Sequence, residues 1–350
     1  MKKKVLLGIS GGVDSSVSAI LLQEQGYDVI GITMELQEEK EQIKDAKKVC
    51  EQLKIPHYVV DYKKEFEKYV IKDFCKNYAN CKTPNPCIEC NKYFKFGAMW
   101  EMAKKLGADF IATGHYAKTE YSSKYKQLVL KKSDSVFKDQ SYMLWSIKKD
   151  IIPKIIFPLG KYTSKEKIRK IAQEYNLLIA DKPDSQDICF IPNGDYKTFL
   201  ERYANFKNKR GNIVTRNGNV LGVHNGLYKY TIGQRKGLGV SYEVPLYVID
   251  FNEEKNELIV GEENELYKNE IEVTDLNWLI ENEPEDLTKI FVKTRYKANF
   301  AMATIKKMEN NKLKVIFDEP QKALTPGQSA VFYDGEIVLG GGKIMNGKIL

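Results

Sequence analysis

Long apolar runs are missing from this 350-residue chain: no stretch of about 18 uninterrupted apolar residues occurs, so no ordinary membrane-spanning helix is expected. Cysteine is sparse. Its six copies lie scattered at 50, 75, 81, 87, 90 and 189, which excludes a disulfide scaffold and leaves metal or redox chemistry for any cysteines that gather. The amino-terminal Met1-Lys2-Lys3-Lys4 leads into only a short apolar stretch ending at Ser10-Gly11-Gly12, too short for a secretory leader, so a cytoplasmic location is expected. With 24 glycines and 11 prolines the chain is neither collagen-like nor disordered, and 43% hydrophobic against 29% charged residues suits a folded protein of two or three domains. The net charge of +8 is unevenly placed. All of that excess falls in 1–200, while 246–286 holds two basic and fourteen acidic residues, so separate basic segments flank an acidic one. Such segments can converge on a polyanion or simply be solvated surface.

Up to about residue 115, short Val- and Ile-rich runs (Val5 to Ile9, Val29 to Thr33, Tyr58 to Asp61, Asp109 to Thr113) alternate with amphipathic stretches at 16–25, 40–53, 65–78 and 91–106. Strict alternation predicts an α/β doubly wound parallel sheet whose ligands bind beyond the carboxyl ends of the strands. Residues 118–131 read as an inserted hairpin belonging with this first domain, and Thr163-Ser164-Lys165-Glu166 as a capping box that opens a helix. Beyond about 205 helical periodicity gives way to short alternating segments punctuated by Asn217-Gly218, Asn225-Gly226, Asp334-Gly335 and Asn346-Gly347, the dipeptides of tight hairpins. The expected division is 1–204, then two small β-rich domains at 205–268 and 269–350, the last a β-barrel.

The loop Ser10-Gly11-Gly12-Val13-Asp14-Ser15-Ser16 lies between the first strand and the first helix. Adjacent glycines admit a ligand close to the backbone, the helix start offers free N–H groups and the hydroxyls add donors, so an anion of phosphate type is favoured. Asp14 is a candidate magnesium ligand. No Gly-Lys-Ser/Thr follows, and the Gly-x-Gly-x-x-Gly dinucleotide pattern is absent. The loop resembles the PP-loop of the ATP pyrophosphatases (adenine nucleotide α-hydrolase-like proteins), which cleave ATP between the α and β phosphates and pass AMP to an oxygen. In Thr83-Pro84-Asn85-Pro86-Cys87-Ile88-Glu89-Cys90, two prolines stiffen a loop before a helix, whose amino terminus would lower a thiol's pKa. Cys87-x-x-Cys90 alone leaves zinc, redox and packing readings open, with Cys81 as a nearby further thiol.

Taken together, the PP-loop, the Thr83-Pro84-Asn85-Pro86 and Cys90-Asn91-Lys92 stretch, Gly114-His115-Tyr116, Lys138-Asp139-Gln140-Ser141-Tyr142, Ser185-Gln186-Asp187-Ile188-Cys189-Phe190 and the run from Gly226 to Gly239 resemble the bacterial tRNA-specific 2-thiouridylases, in the same order over nearly the whole chain. The resemblance implies ATP- and magnesium-dependent adenylation of the wobble uridine in tRNA, followed by sulfur transfer to C2. It implies ATP binding by Gly8, Ile9, Ser10, Gly11, Gly12, Val13, Asp14, Ser15, Met34 and Gly114. Asn85, Pro86 and Cys87 would lie against the target base, and His115, Lys138, Asp139, Gln140, Arg295, Tyr296 and Gln328 would contact tRNA. Cys90 would be the nucleophile and Cys189 the persulfide carrier loaded by a cysteine desulfurase relay, with inorganic sulfide the donor where a metal cluster acts instead.

Some of these positions also have local readings. Asp139 and Gln140 suit the cap of a helix starting near Ser141, Arg295 and Tyr296 suit a cross-strand pair, and Gln328 follows a Pro326-Gly327 turn. Cys87 departs from the aspartate found in many members. Its presence admits a second mechanism, in which Cys87, Cys90 and Cys189 ligate a [4Fe–4S] cluster whose fourth iron binds hydrosulfide. The functional alternatives are an amide-forming PP-loop synthetase acting on a free nucleotide, and a non-catalytic tRNA-binding protein.

Overall fold

The computed structural model describes residues 2–38, 40–135, 138–180, 182 and 188–345. Its first sheet is parallel throughout, in the order β3 (His57–Asp61), β2 (Asp28–Glu35), β1 (Lys4–Gly8), β4 (Phe110–Ala112), β7 (Ile155–Ile156). The apolar runs form the central strands because both faces are covered. Val5, Leu7 and Ile9 pack with the helix face carrying Ala19 and Leu22, while Leu6, Ile30 and Ile32 pack with Phe96 and Met99 on the other side. Helix α1 (Val13–Glu24) follows β1 directly, and α2 (Lys40–Gln52) follows β2. The helix expected at 91–106 opens earlier, at Pro86–Cys90, and runs on through a π segment, Asn91–Ala98, into Met99–Lys105.

Strands β5 (Ala117–Ser122) and β6 (Gln127–Lys132) make the inserted hairpin. It does not stay with the first sheet. β6 pairs instead with the carboxyl-terminal strand, Lys131 opposite Ile337. A four-stranded sheet follows, with β8 (Arg210–Thr215), β9 (Val220–Asn225), β10 (Tyr247–Asn252) and β11 (Glu257–Gly261) in the order β10-β11-β8-β9. The remaining strands are β12 (Tyr267–Trp278), β13 (Lys289–Lys293), β14 (Ala301–Met308), β15 (Lys312–Lys322), β16 (Ser329–Asp334) and β17 (Ile337–Ile344). They run β12-β15-β14-β13-β16-β17, and a β12–β17 pairing closes them into a six-stranded barrel filled by Val273, Val292, Ile305, Val315 and Phe332.

Gly218 and Gly335 adopt positive φ at hairpin turns, as their dipeptides predict. Asn225-Gly226 instead leads into a short 3-10 turn, Leu227–Lys229, and Asn346-Gly347 lies outside the described residues. No described helix is long and apolar enough to cross a membrane.

Candidate active site

Every residue of the glycine-rich loop lies at the carboxyl end of β1, where α1 begins. Gly11 takes φ +70°, and a Cβ there would meet the Gln42 carbonyl oxygen at 2.6 Å. Ser15 ties the loop to itself, its hydroxyl accepting from the Ser10 N–H at 3.2 Å and donating to the Gly12 carbonyl at 3.1 Å. Gly114, just past β4, lies so close that a Cβ would sit 3.0 Å from the Ser15 nitrogen. Met34 is the penultimate residue of β2, the strand next to β1. The ten ATP-binding candidates thus collect at the ends of three adjacent strands.

Two further residues, to which the sequence alone assigns no role, reach this loop. Lys165 Nζ makes an ion pair with Asp14 Oδ1 at 2.7 Å, and the Tyr116 hydroxyl donates to the same oxygen at 2.9 Å. By sequence Lys165 reads only as part of a capping box. In the structure Ser164 is the cap, accepting from the Lys167 N–H, and the first residue of the Lys165–Glu174 helix reaches the nucleotide loop. The oxygen donors fit magnesium, which needs few carboxylates when phosphates and water complete its shell, so Asp14 is the residue that would hold it. Lys165 shares that carboxylate and adds positive charge where phosphates would lie.

The cysteine-bearing segment is built by its cap. Asn85 accepts from the Cys87 N–H at 3.2 Å, with Pro86 at the first helical position. Cys87 is exposed. Cys90, one turn on, is buried among Phe66, Phe74, Phe94 and Phe190, and burial pushes its thiol up to about 11. The expected lowering by a helix start is therefore overturned: desolvation by the aromatic cover outweighs Lys95, the cation that favours the thiolate. Cys189 is exposed, while its neighbours Ile188 and Phe190 join the cluster that holds Cys90. Ser185, Gln186 and Asp187 lie outside the described residues. Cys81 turns away to pack against the middle sheet's core, its thiol raised to about 12 by burial and then by Glu253 and Asp250. Cys50 and Cys75 are buried packing residues.

Among the described residues no three His, Cys, Asp or Glu side chains gather in metal-ligating range. Cys87, Cys90 and Cys189 are all described, so in this arrangement they do not form the three-thiolate set that a [4Fe–4S] cluster requires.

The remaining candidates are mostly engaged within the chain. His115 is buried against Phe96 and Phe157, with Nδ1 2.8 Å from the Thr113 hydroxyl. Asp139 accepts from the Ser133 N–H at 3.0 Å and the Ser141 hydroxyl at 2.8 Å, while the Gln140 side chain accepts from the Tyr116 N–H at 2.9 Å. Arg295 donates to the Ile232 and Ala323 carbonyls and to the Thr325 hydroxyl, joining the middle sheet's loop to the barrel. Tyr296 is half-buried beside Tyr142, and Lys138 is partly exposed. Gln328 donates to the Thr83 carbonyl at 2.7 Å.

Burial holds His115 well below the ordinary histidine range, and His57 and His224 are lowered for the same first reason. A depressed folded-state pKa means the unfolded chain takes up protons first. Stability is therefore complete above about pH 6.5 and falls as pH drops below it. Urea midpoints measured from pH 7.5 to 5.5 should decline, with a shallower slope in His115→Gln; an equal slope in the variant would contradict the buried neutral ring.

Three family descriptions match in succession: tRNA methyl transferase HUP domain over 3–193, tRNA methyl transferase PRC-barrel domain over 197–262, and Aminomethyltransferase beta-barrel domain over 268–344. The tRNA-specific 2-thiouridylase MnmA of Acetivibrio thermocellus is 44% identical over 98% of this chain and 99% of its own. The chain belongs to the tRNA-specific 2-thiouridylase family. Members so named from Clostridium botulinum (strain Alaska E43 / Type E3) and Carboxydothermus hydrogenoformans are 46% and 43% identical, each over 98% of both chains. Membership in this ATP-using PP-loop family accounts for the loop at the end of β1 and implies the use of ATP and magnesium.

Proposed function

We propose that this protein transfers sulfur to C2 of the wobble uridine of tRNA, using ATP cleavage to AMP and pyrophosphate to activate the C2 oxygen. The observation that carries the reading is one apolar cluster. It holds Cys90 and Phe190 and has Met34 and Ile188 at its edge, so the nucleotide end of the parallel sheet and both cysteine segments meet there. Residues 1–204 would carry the chemistry, with 205–268 and 269–350 extending the tRNA surface.

In the first step the uridine O2 attacks the α-phosphorus and pyrophosphate leaves. The PP-loop N–H groups and Lys165 balance the phosphate charge, and bound magnesium supplies further charge neutralisation. The outer sulfur of a Cys189 persulfide then attacks C2 and AMP departs. Cys90 attacks the Cys189 sulfur, leaving a Cys90–Cys189 disulfide and 2-thiouridine; a thiol reductant restores both cysteines. The persulfide's sulfane sulfur is thereby reduced as the two thiols are oxidised. The exposed Cys189 suits loading by a desulfurase relay, whose own persulfide passes on its sulfane sulfur as the donor thiol leaves. The buried Cys90 must be uncovered before it reacts. With Cys87, Cys90 and Cys189 not gathered as a ligand set, protein purified without oxygen should be iron-free yet active.

The test is nucleoside mass spectrometry of tRNA incubated with ATP, magnesium and a persulfide donor. Formation of 2-thiouridine is expected, with AMP release that requires tRNA. AMP release on a free nucleotide without tRNA would favour the amide-forming synthetase, and tRNA binding with neither product would favour a non-catalytic binder. Asp14→Asn and Lys165→Ala should each lower AMP release by about tenfold or more while leaving tRNA affinity near wild type.

A further inference from the structure

The segment 83–90 is held from outside the catalytic sheet. The Thr83 N–H donates to the Pro326 carbonyl at 2.9 Å, and Gln328 Nε2 donates to the Thr83 carbonyl at 2.7 Å. Gly327, between them, takes φ +87° and packs so tightly that a Cβ would lie 3.0 Å from both the Thr83 nitrogen and Lys82 Cβ. That loop is itself fixed to the last barrel strand, since the Gly327 N–H donates to the Ile344 carbonyl and the Ile344 N–H to the Gln328 carbonyl. At the other end of the segment, Lys343 Nζ of β17 lies 2.9 Å from Glu89 Oε1. Glu89 is 8% exposed and sits immediately before Cys90.

Burial works against the charge on Lys343, yet Glu89, Asp73 and Asp275 outweigh it and the ammonium's pKa lies above its ordinary value. A crevice lined by Asp73, Lys76, Lys82, Asp275 and Lys343 runs along this seam. Removing the lysine would leave a buried carboxylate without its cation, and the helical turn would shift to bring Glu89 to water.

We infer that the carboxyl-terminal barrel is a positioning element for the nucleophile: Gln328 and Gly327 fix the approach loop, and Lys343 fixes the Cys90 turn through Glu89. Gln328 thereby acts on the Thr83 carbonyl, a role distinct from contact with tRNA. The inference rests on Cys90 being the nucleophile, and one arm of its test needs neither tRNA nor ATP.

In the full-length protein, the rate of Cys90 alkylation by iodoacetamide, read peptide by peptide, reports how well the turn is held. Lys343→Met should raise that rate about tenfold while Cys87, already exposed, changes little. In single-turnover assays the same variant should lose about 10²-fold in the thiolation rate constant, because a small displacement of a reacting group is that costly. Its dissociation constant for tRNA should stay within about twofold, and Lys343→Arg should restore both rates. Gln328→Ala, a milder change, should move both rates the same way and covers the case in which Lys343→Met fails to fold. Unchanged Cys90 alkylation in Lys343→Met, or in Gln328→Ala where that variant stands in, would overturn the inference. So would a loss confined to tRNA affinity with the salt slope reduced by about one, which marks a direct phosphate contact. If alkylation responds but no 2-thiouridine ever forms, the positioning stands and the proposed function fails.

Discussion

Cys90→Ser and Cys189→Ser should each lower 2-thiouridine formation by about three orders of magnitude, some 4 kcal/mol of barrier, while tRNA-dependent pyrophosphate release in the first turnover continues. The separation follows from the two halves of the site. In the proposed chemistry Asp14, Lys165 and the glycine loop serve the phosphates at the end of β1, where Lys165 pairs with Asp14 and Ser15 ties the loop to itself, while Cys90 lies in the aromatic cluster. Serine keeps the volume of Cys90 but places a hydroxyl among Phe66, Phe74, Phe94 and Phe190, so the variant's melting temperature must be checked alongside its activity. Loss of the first-turnover pyrophosphate release together with thiolation, in a variant that remains folded, would refute the division of labour.

Cys87→Ala sharpens the comparison. Its backbone N–H, which Asn85 caps, survives the substitution, and its exposed thiol makes no buried contact to lose. The persulfide route therefore expects activity much closer to wild type than in the other two variants. A cluster held by Cys87, Cys90 and Cys189 would instead make all three losses equal and would bring about four irons per chain with it. Equal losses with bound iron would mean that the cysteines gather in a conformation other than this one.

How much of this was legible follows from the reach of each signal. The parallel sheet was legible because its central strands are covered on both faces and read as unbroken Val and Ile runs. The nucleotide loop was legible because its glycines, hydroxyls and helix start are adjacent in sequence. The hairpin's allegiance was not, since nothing local to 117–132 specifies pairing with Ile337. Barrel closure likewise depends on β12 changing partners through a register shift between Thr274 and Asn277. The same limit governed the site. A helix start beside Cys90 is visible locally, but the four phenylalanines that raise its pKa come from three separate segments. Gln328 read as a turn residue because its partner, Thr83, lies 245 positions away. Family resemblance supplied positions for tRNA contact, but the roles of Arg295 and Gln328 as staples between segments came only from the assembled fold.

The second large effect is expected from the two adjacent glycines, which differ in what they can report. Gly11→Ala meets two obstacles in the protein itself. Its φ of +70° costs an L-residue about 1–2 kcal/mol, and its Cβ would press on the Gln42 carbonyl at 2.6 Å, so α2 has to move. Stability and ATP binding should fall together. Gly12 has φ −100° and ψ 163°, which any residue adopts, and the nearest atom to an added Cβ is Ser10 Oγ at 3.5 Å. Gly12→Ala should therefore leave the thermal midpoint unchanged. Its methyl group would nevertheless project at the helix start where the phosphates must approach the backbone N–H groups. ATP affinity should drop about tenfold or more, equivalent to at least about 1.4 kcal/mol, with a matching loss of tRNA-dependent AMP release. Calorimetry with ATP and magnesium on the two variants separates the cases: a stable Gly12→Ala protein with wild-type affinity would move the phosphate site away from this loop.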